Sequence, residues 1–166
     1  MDTMGKKRQD LNSETQTIPT VLVVDDNVQN LELLQAYLEE LDVNTVAAYD
    51  GQQAMDCVRQ KEPDLILLDV MMPKMSGFEV CKRLKKDPKT SDIPIIMVTA
   101  LNELGDIERG IDSGTDDFLT KPVNKWELIT RVKTMLKLKH LSDKLERTLA
   151  YLSEIEAQAE KMSRGQ

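Results

Sequence analysis

The chain has 166 residues, 29 Asp plus Glu against 22 Lys plus Arg, and 40% hydrophobic content, which fits one domain with a modest appendage. A formal net charge of −7 argues against a generic phosphate-backbone binder, so direct contact with nucleic acid is not expected. No apolar run has the length of a bilayer span and no apolar stretch follows the basic Lys6-Lys7-Arg8, so neither membrane anchor nor signal peptide is legible and a cytoplasmic location is expected.

Residues 1–18 are polar and unpatterned and are predicted to be a disordered tail. Pro19 then introduces the apolar run Val21-Leu22-Val23-Val24, a first strand. Leu31, Leu34, Tyr37, Leu38 and Leu41 recur at helical spacing, and a second strand pattern spans Val43 to Ala48. The alternation continues with a helix from Gln52 to Gln60, the run Leu65-Ile66-Leu67-Leu68, a helix from Phe78 to Lys86 and the run Ile95-Ile96-Met97-Val98. A weaker, polar helix from Glu103 to Asp112 and a strand from Asp117 to Leu119 follow, and Asn124 is a cap for a long last helix. Near-continuous apolar strands separated by helices predict an α/β fold with a five-stranded, parallel, doubly wound sheet. Cys57 and Cys81 fall inside helical patterns with no Cys or His at metal spacing, and read as small buried or half-buried thiols suited to a reducing compartment.

The last helix does not stop where a domain-closing helix should, because no Gly or Pro occurs from Val123 to Arg164. A repeat of seven places Leu138, Leu145, Leu152 and Ala159 in one position and Leu141, Thr148, Ile155 and Met162 in the other. The predicted organisation is a tail at 1–18, a globular domain at 19–137 and a helical coiled-coil extension at 138–166. A seam of this length favours a homodimer through the C-terminal helix over folding back onto the domain, although Thr148 and Ala159 weaken it and Leu149 and Tyr151 widen the stripe.

Four strands end in polar residues that a buried strand has no structural need for: Asp25-Asp26 after the first, Asp69 after the third, Thr99 after the fourth and Lys121 beyond the fifth. In open α/β sheets ligands bind outside the carboxyl ends of the strands, so these residues should converge. Carboxylates gathered there repel one another, each pair by about 4 kcal/mol at 4 Å and an effective dielectric near 20, and require a cation. Hard oxygen ligands with room for water suit Mg²⁺. An Asp carboxylate is also a competent nucleophile toward phosphorus, while a Lys ammonium and a Thr hydroxyl can bind phosphoryl oxygens.

Through Val23-Val24-Asp25-Asp26-Asn27, Leu67-Leu68-Asp69-Val70-Met71-Met72-Pro73, Ser76-Gly77, Val98-Thr99-Ala100 and Gly114-Thr115-Asp116-Asp117-Phe118-Leu119-Thr120-Lys121-Pro122, residues 19–138 resemble the receiver domain of two-component response regulators. The resemblance implies a flavodoxin-like strand order 2-1-3-4-5. It implies that Asp69 accepts a phosphoryl group from a histidine kinase or phosphotransfer protein, with no multi-turnover enzyme activity. Asp26 and Asp69 would ligate Mg²⁺ directly, Asp25 through a water, and Met71 through its backbone carbonyl. Thr99 and Lys121 would contact phosphoryl oxygens, Thr99 and Phe118 would act as the conformational switch, and the Lys121–Pro122 bond would be cis. The extension resembles linkers that join receivers to enzymatic output domains in cyclic-dinucleotide signalling.

Simpler readings compete at each position. Asp25, Asp26 and Asp69 could be ordinary turn residues, though three at separate strand ends with Thr99 and Lys121 favour a site. Phe118 alone reads as a sheet residue, Met71, Met72 and Met75 as gap-filling side chains rather than a soft-metal box, and His140 as a solvated surface residue. The functional alternative is a Mg²⁺-dependent phosphatase-like hydrolase on a similar sheet, but Asp25-Asp26-Asn27 lacks the acid two residues beyond a nucleophile that turnover would use. A flavin module would need a Ser/Thr/Gly-rich loop after the first strand, which is absent.

Overall fold

A computed structural model describes residues 17–100 and 104–165. The predicted disorder of the N-terminal tail therefore lies almost wholly outside the described residues. Ten elements alternate in chain order: β1 (Thr20–Val24), α1 (Val28–Leu38), β2 (Asn44–Ala48), α2 (Gly51–Lys61), β3 (Leu65–Asp69), α3 (Gly77–Lys86), β4 (Ile95–Thr99), α4 (Leu104–Ser113), β5 (Asp117–Thr120) and α5 (Lys125–Arg164). The strands form one parallel sheet in the order β2-β1-β3-β4-β5, as expected.

The aliphatic runs explain why these segments are central strands. All five residues of β3 and of β4 are buried, which only a sheet covered on both faces allows. Alternation along each strand then divides the core. Leu22, Val24, Ile66, Leu68, Ile95 and Met97 face Ala54 and Val58 of α2 and Phe78, Cys81 and Leu84 of α3. Their neighbours Val21, Val23, Leu65, Leu67, Ile96 and Val98 face Leu31, Leu34 and Leu38 of α1 and Leu128 and Val132 of α5.

Helix starts are set by side-chain caps, each accepting a backbone N–H three residues on: Asn27 from Asn30 at 3.1 Å, Asp50 from Gln53 at 2.7 Å, Ser76 from Glu79 at 3.3 Å and Asn124 from Glu127 at 3.0 Å. The Asp50 and Ser76 caps bring Gly51 and Gly77 into α2 and α3, one residue earlier than apolar spacing indicates. At the other end of the strands, β3 and β4 each run one residue further than their apolar runs and take in Asp69 and Thr99. α4 begins at Leu104, so the expected start at Glu103 lies outside the described residues.

Leu128 and Val132 anchor α5 to the sheet. The helix then leaves the domain and continues without folding back. Leu138, Leu141, Leu145, Leu152 and Ile155 of the seven-residue repeat are all exposed, as is His140. Cys57 is half-buried and Cys81 buried, both as free thiols.

Candidate functional site

The sheet order reverses beside β1, and the crevice at that point is bounded by the carboxyl ends of β1, β3, β4 and β5. The register brings the ends level: Val24 lies beside Leu68, Asp69 beside Val98, and Thr99 beside Thr120. The side chains that follow are therefore delivered to one place. Carboxylate oxygens of Asp25, Asp26 and Asp69 lie within 4.8 Å of one another. Asp25 and Asp69 are buried, at 1% and 4% exposure, while Asp26 faces solvent. Thr99 is buried at the end of β4.

Lys121 reaches back into this cluster. Its Nζ is 2.9 Å from Asp25 Oδ2 and 3.4 Å from Asp69 Oδ1, and its backbone N–H donates to the Thr99 carbonyl at 2.9 Å. The Lys121–Pro122 peptide is cis. Asp25 Oδ1 also accepts the Asn27 N–H at 2.8 Å, so the first turn before α1 fixes that carboxylate from the opposite side.

One ammonium does not balance two buried carboxylates. Burial, and next the Asp25 charge, push the Asp69 carboxyl up to about 6, against the pull of Lys121 and a backbone hydrogen bond from Met71. Burial alone would lower Lys121, but the Asp25 hydrogen bond and the charges of Asp69 and Asp25 outweigh it and hold the ammonium above the ordinary lysine value. Asp26 adds a third carboxylate, and it makes no ion pair among the described residues. The unbalanced negative charge and the all-oxygen donor set fit a hard divalent cation such as Mg²⁺.

Gly77 fixes the end of β3 through a close contact that the Ser76-Gly77 pair alone does not disclose. A Cβ there would overlap the Asp69 carbonyl oxygen and come within 2.9 Å of Val70 Cα. The first turn of α3 thus lies directly against the end of β3, held by the Gly77 N–H to the Val70 carbonyl at 3.0 Å. Met71 carries a largely exposed side chain, 64% accessible, at the rim of the crevice. Phe118 is half-buried on β5, outside the carboxylate cluster and packed against the core layer of α2 and α3. A cavity of about 160 Å³ has both Thr99 and Phe118 in its wall. A larger hollow of about 480 Å³ lies along α5, between Trp126, Arg131 and Met135, away from the strand ends.

The sequence profile described as the response regulator receiver domain matches residues 21–133, and the chain belongs to that family. Among curated proteins it is similar to the response regulator PleD of Caulobacter vibrioides, with 45% identity over 125 residues covering 75% of this chain and 28% of that protein. It is also similar to the DNA-binding dual master transcriptional regulator RpaA of a Synechocystis species, with 43% identity over 126 residues covering 72% of this chain and 50% of that protein. The chain thus spans half or less of the length of these relatives. Among solved structures, the receiver domain of the Francisella response regulator 1452 superposes with a TM-score of 0.66 at 35% identity, covering 72% of this chain and 97% of that one. Family membership favours phosphoacceptor signalling over the hydrolase alternative.

Proposed function

We propose that Asp69 is the acceptor of a phosphoryl group from a histidine kinase or phosphotransfer protein and that its phosphorylation switches the conformation of the domain. The observation that carries this reading is the meeting of a buried nucleophilic carboxylate with two further carboxylates within 4.8 Å and an ammonium at 3.4 Å. An Asp69 carboxylate oxygen forms an O–P bond as the donor's P–N bond breaks, and the electron pair remains on the departing imidazole nitrogen. Asp69 attacks as the anion, and with its carboxyl at about 6 most molecules are ready at neutral pH. Lys121 and the Thr99 hydroxyl bind the phosphoryl oxygens and neutralise charge as it moves onto them. Mg²⁺ would be held by Asp26, Asp69 and the Met71 carbonyl, with Asp25 beside them, and would supply the positive charge that lets three carboxylates and a phosphoryl group share the crevice. The site transfers one group to itself and lacks multiple turnover.

The receiver occupies residues 19–137, and residues 138–166 form a helical extension that pairs with a second copy. The exposed Leu138, Leu141, Leu145, Leu152 and Ile155 support this pairing, since an isolated helix of this kind is marginal in water. Switching is passed to an output through that helix or through the surface formed by α4, β5 and α5. A cytoplasmic setting is in keeping with the two free thiols, and no helix among the described residues is long and apolar enough to cross a membrane.

Intact-mass measurement after incubation with acetyl phosphate and Mg²⁺ tests the reading. The expected result is one added phosphoryl group in the native chain and none in Asp69→Asn. Continuous release of phosphate over many turnovers would identify a hydrolase, and unchanged labelling of Asp69→Asn would remove Asp69 from its role.

A further inference from the structure

α4 contains two glycines, and they differ in what surrounds them. A Cβ built at Gly105 meets nothing within 4 Å among the described residues. One built at Gly110 would overlap Phe118 Cζ and lie 2.6 Å from Cε1 and 3.1 Å from Cε2. Gly110 is buried, and its φ is not positive, unlike that of Gly114 at +88°. Its backbone would therefore accept any ordinary residue, and in a helix almost any would be better than glycine. What the position requires is the absence of a side chain, and the group that fills the space is one edge of the Phe118 ring.

The ring has two unlike neighbours: the bare backbone of α4 at Gly110, and the 160 Å³ cavity, which Phe118 shares with Phe78, Thr99 and, on α4 itself, Asp106 and Ile107. A movement of Thr99 toward a phosphoryl oxygen alters the cavity and leaves the Gly110 contact in place. α4 is itself fastened to α3: the Arg109 guanidinium stands 4.7 Å from the centre of the Phe78 ring, and Cys81 Sγ donates to the Ser113 carbonyl at 3.4 Å. A methyl group at position 110 would accordingly move the ring before it moved the helix.

Resting on the roles given above to Asp69 and Thr99, we propose that Gly110 is the seat of the Phe118 ring, and that its missing side chain lets phosphorylation at Asp69 reposition that ring against α4. Gly110 is a positioning residue: it touches neither the phosphoryl group nor its ligands and acts through Phe118. A Cβ there displaces the ring in advance, so the ring no longer reports phosphorylation while Asp69 still accepts the group.

The chain has only two phenylalanines, Phe78 and Phe118, so labelling with 4-fluorophenylalanine gives two fluorine resonances, assigned with Phe118→Leu. The full chain is compared with and without beryllium fluoride and Mg²⁺ as a phosphoryl mimic. In the native chain and in Gly105→Ala the Phe118 resonance should shift on adding the mimic. In Gly110→Ala it should already be displaced without the mimic, and the mimic-dependent shift should be lost, although intact mass after acetyl phosphate still shows one phosphoryl group. A Gly110→Ala resonance that follows the native one in both states overturns the proposal. A native Phe118 resonance that ignores the mimic, in protein that phosphorylates normally, overturns the coupling and this inference with it but not the acceptor role of Asp69. Failure of the native chain to phosphorylate overturns that role and the inference resting on it. Should Gly110→Ala fail to fold, Gly110→Ala combined with Phe118→Leu decides: recovery of folded protein supports the seat, and continued failure refutes it.

Discussion

Replacing Asp69 by Asn should make the metal-free protein more stable, and by an amount that depends on pH in a defined way. The Asp69 carboxyl is raised from 3.8 to about 6 by burial and by the Asp25 charge. The folded chain therefore holds this proton more tightly than the unfolded chain does. Below about pH 3 both states are protonated and the group is neutral to stability. As pH rises from about 3 to 6 the unfolded carboxyl ionises freely while the folded one resists, so stability falls. At about 1.4 kcal/mol per unit, a rise of roughly two units amounts to about 3 kcal/mol lost at pH 7.5 and about 1 kcal/mol at pH 4.5. Asn mimics the protonated carboxyl in shape and does not titrate. Urea unfolding in EDTA should thus find Asp69→Asn more stable than the native chain by about 3 kcal/mol at pH 7.5, narrowing to about 1 kcal/mol at pH 4.5. Taking the difference between the two proteins cancels the titrating groups that do not interact with Asp69, leaving Asp69 and its neighbours Asp25 and Lys121. Saturating Mg²⁺ should close part of the gap at pH 7.5, since a ligand at 100 times its Kd stabilises by about 2.7 kcal/mol. Equal stability at pH 7.5, or a difference that does not change with pH, would refute the electrostatic account of the crevice.

Lys121→Met leaves Asp25 and Asp69 facing each other without their shared ammonium. It should cost on the order of 2 kcal/mol at pH 7.5 in urea unfolding and slow labelling by acetyl phosphate on the order of 100-fold, and an unchanged labelling rate would exclude Lys121 from the phosphoryl site. Met71→Asn combined with Leu101→Glu places polar side chains where the native chain has apolar ones. Leu101 lies outside the described residues, and the expectation from its position is faster loss of the Asp69 phosphoryl group than in the native chain, followed by mass spectrometry, with equal decay counting against shielding by apolar side chains. A chain ending at Leu136 should sediment as a monomer at micromolar concentration while the full chain sediments as a dimer; two monomers, with and without beryllium fluoride, would refute pairing through α5.

The acidic cluster was legible because each member ends a strand, where an apolar run stops at a residue that the core has no use for. Asp25, Asp69, Thr99 and Lys121 were readable for that reason, and the parallel topology then left few ways to arrange them. The apportioning of Lys121 was not readable, since its shorter contact is to Asp25 and only the fold sets those two distances. Gly77 was legible with Ser76 as part of a motif, but what it packs against was not, and Gly110 went unread altogether. A glycine required by a positive φ often announces itself through a turn pattern, whereas these two are required by atoms of another element, a strand carbonyl for one and a phenyl ring for the other. The helix starts at Gly51 and Gly77 were missed by one residue because apolar spacing registers the buried face of a helix and not its cap. The polar α4 carries few apolar residues, and two of them, Ile107 and Ile111, are exposed and not packed into the core, which is why it read as a weak helix.

The length of α5 makes it a lever. About 28 residues extend past Leu136, roughly 42 Å at 1.5 Å per residue. The arm is pivoted on a short fulcrum, the packing of Leu128 and Val132 against the sheet. A tilt of about 5° at that fulcrum, small enough for packed side chains to absorb by sliding, carries the tip through about 4 Å over such an arm. Stiffness in the arm matters as much as motion at the pivot: a flexible tether would dissipate such a displacement, whereas an uninterrupted helix carries it magnified to its far end.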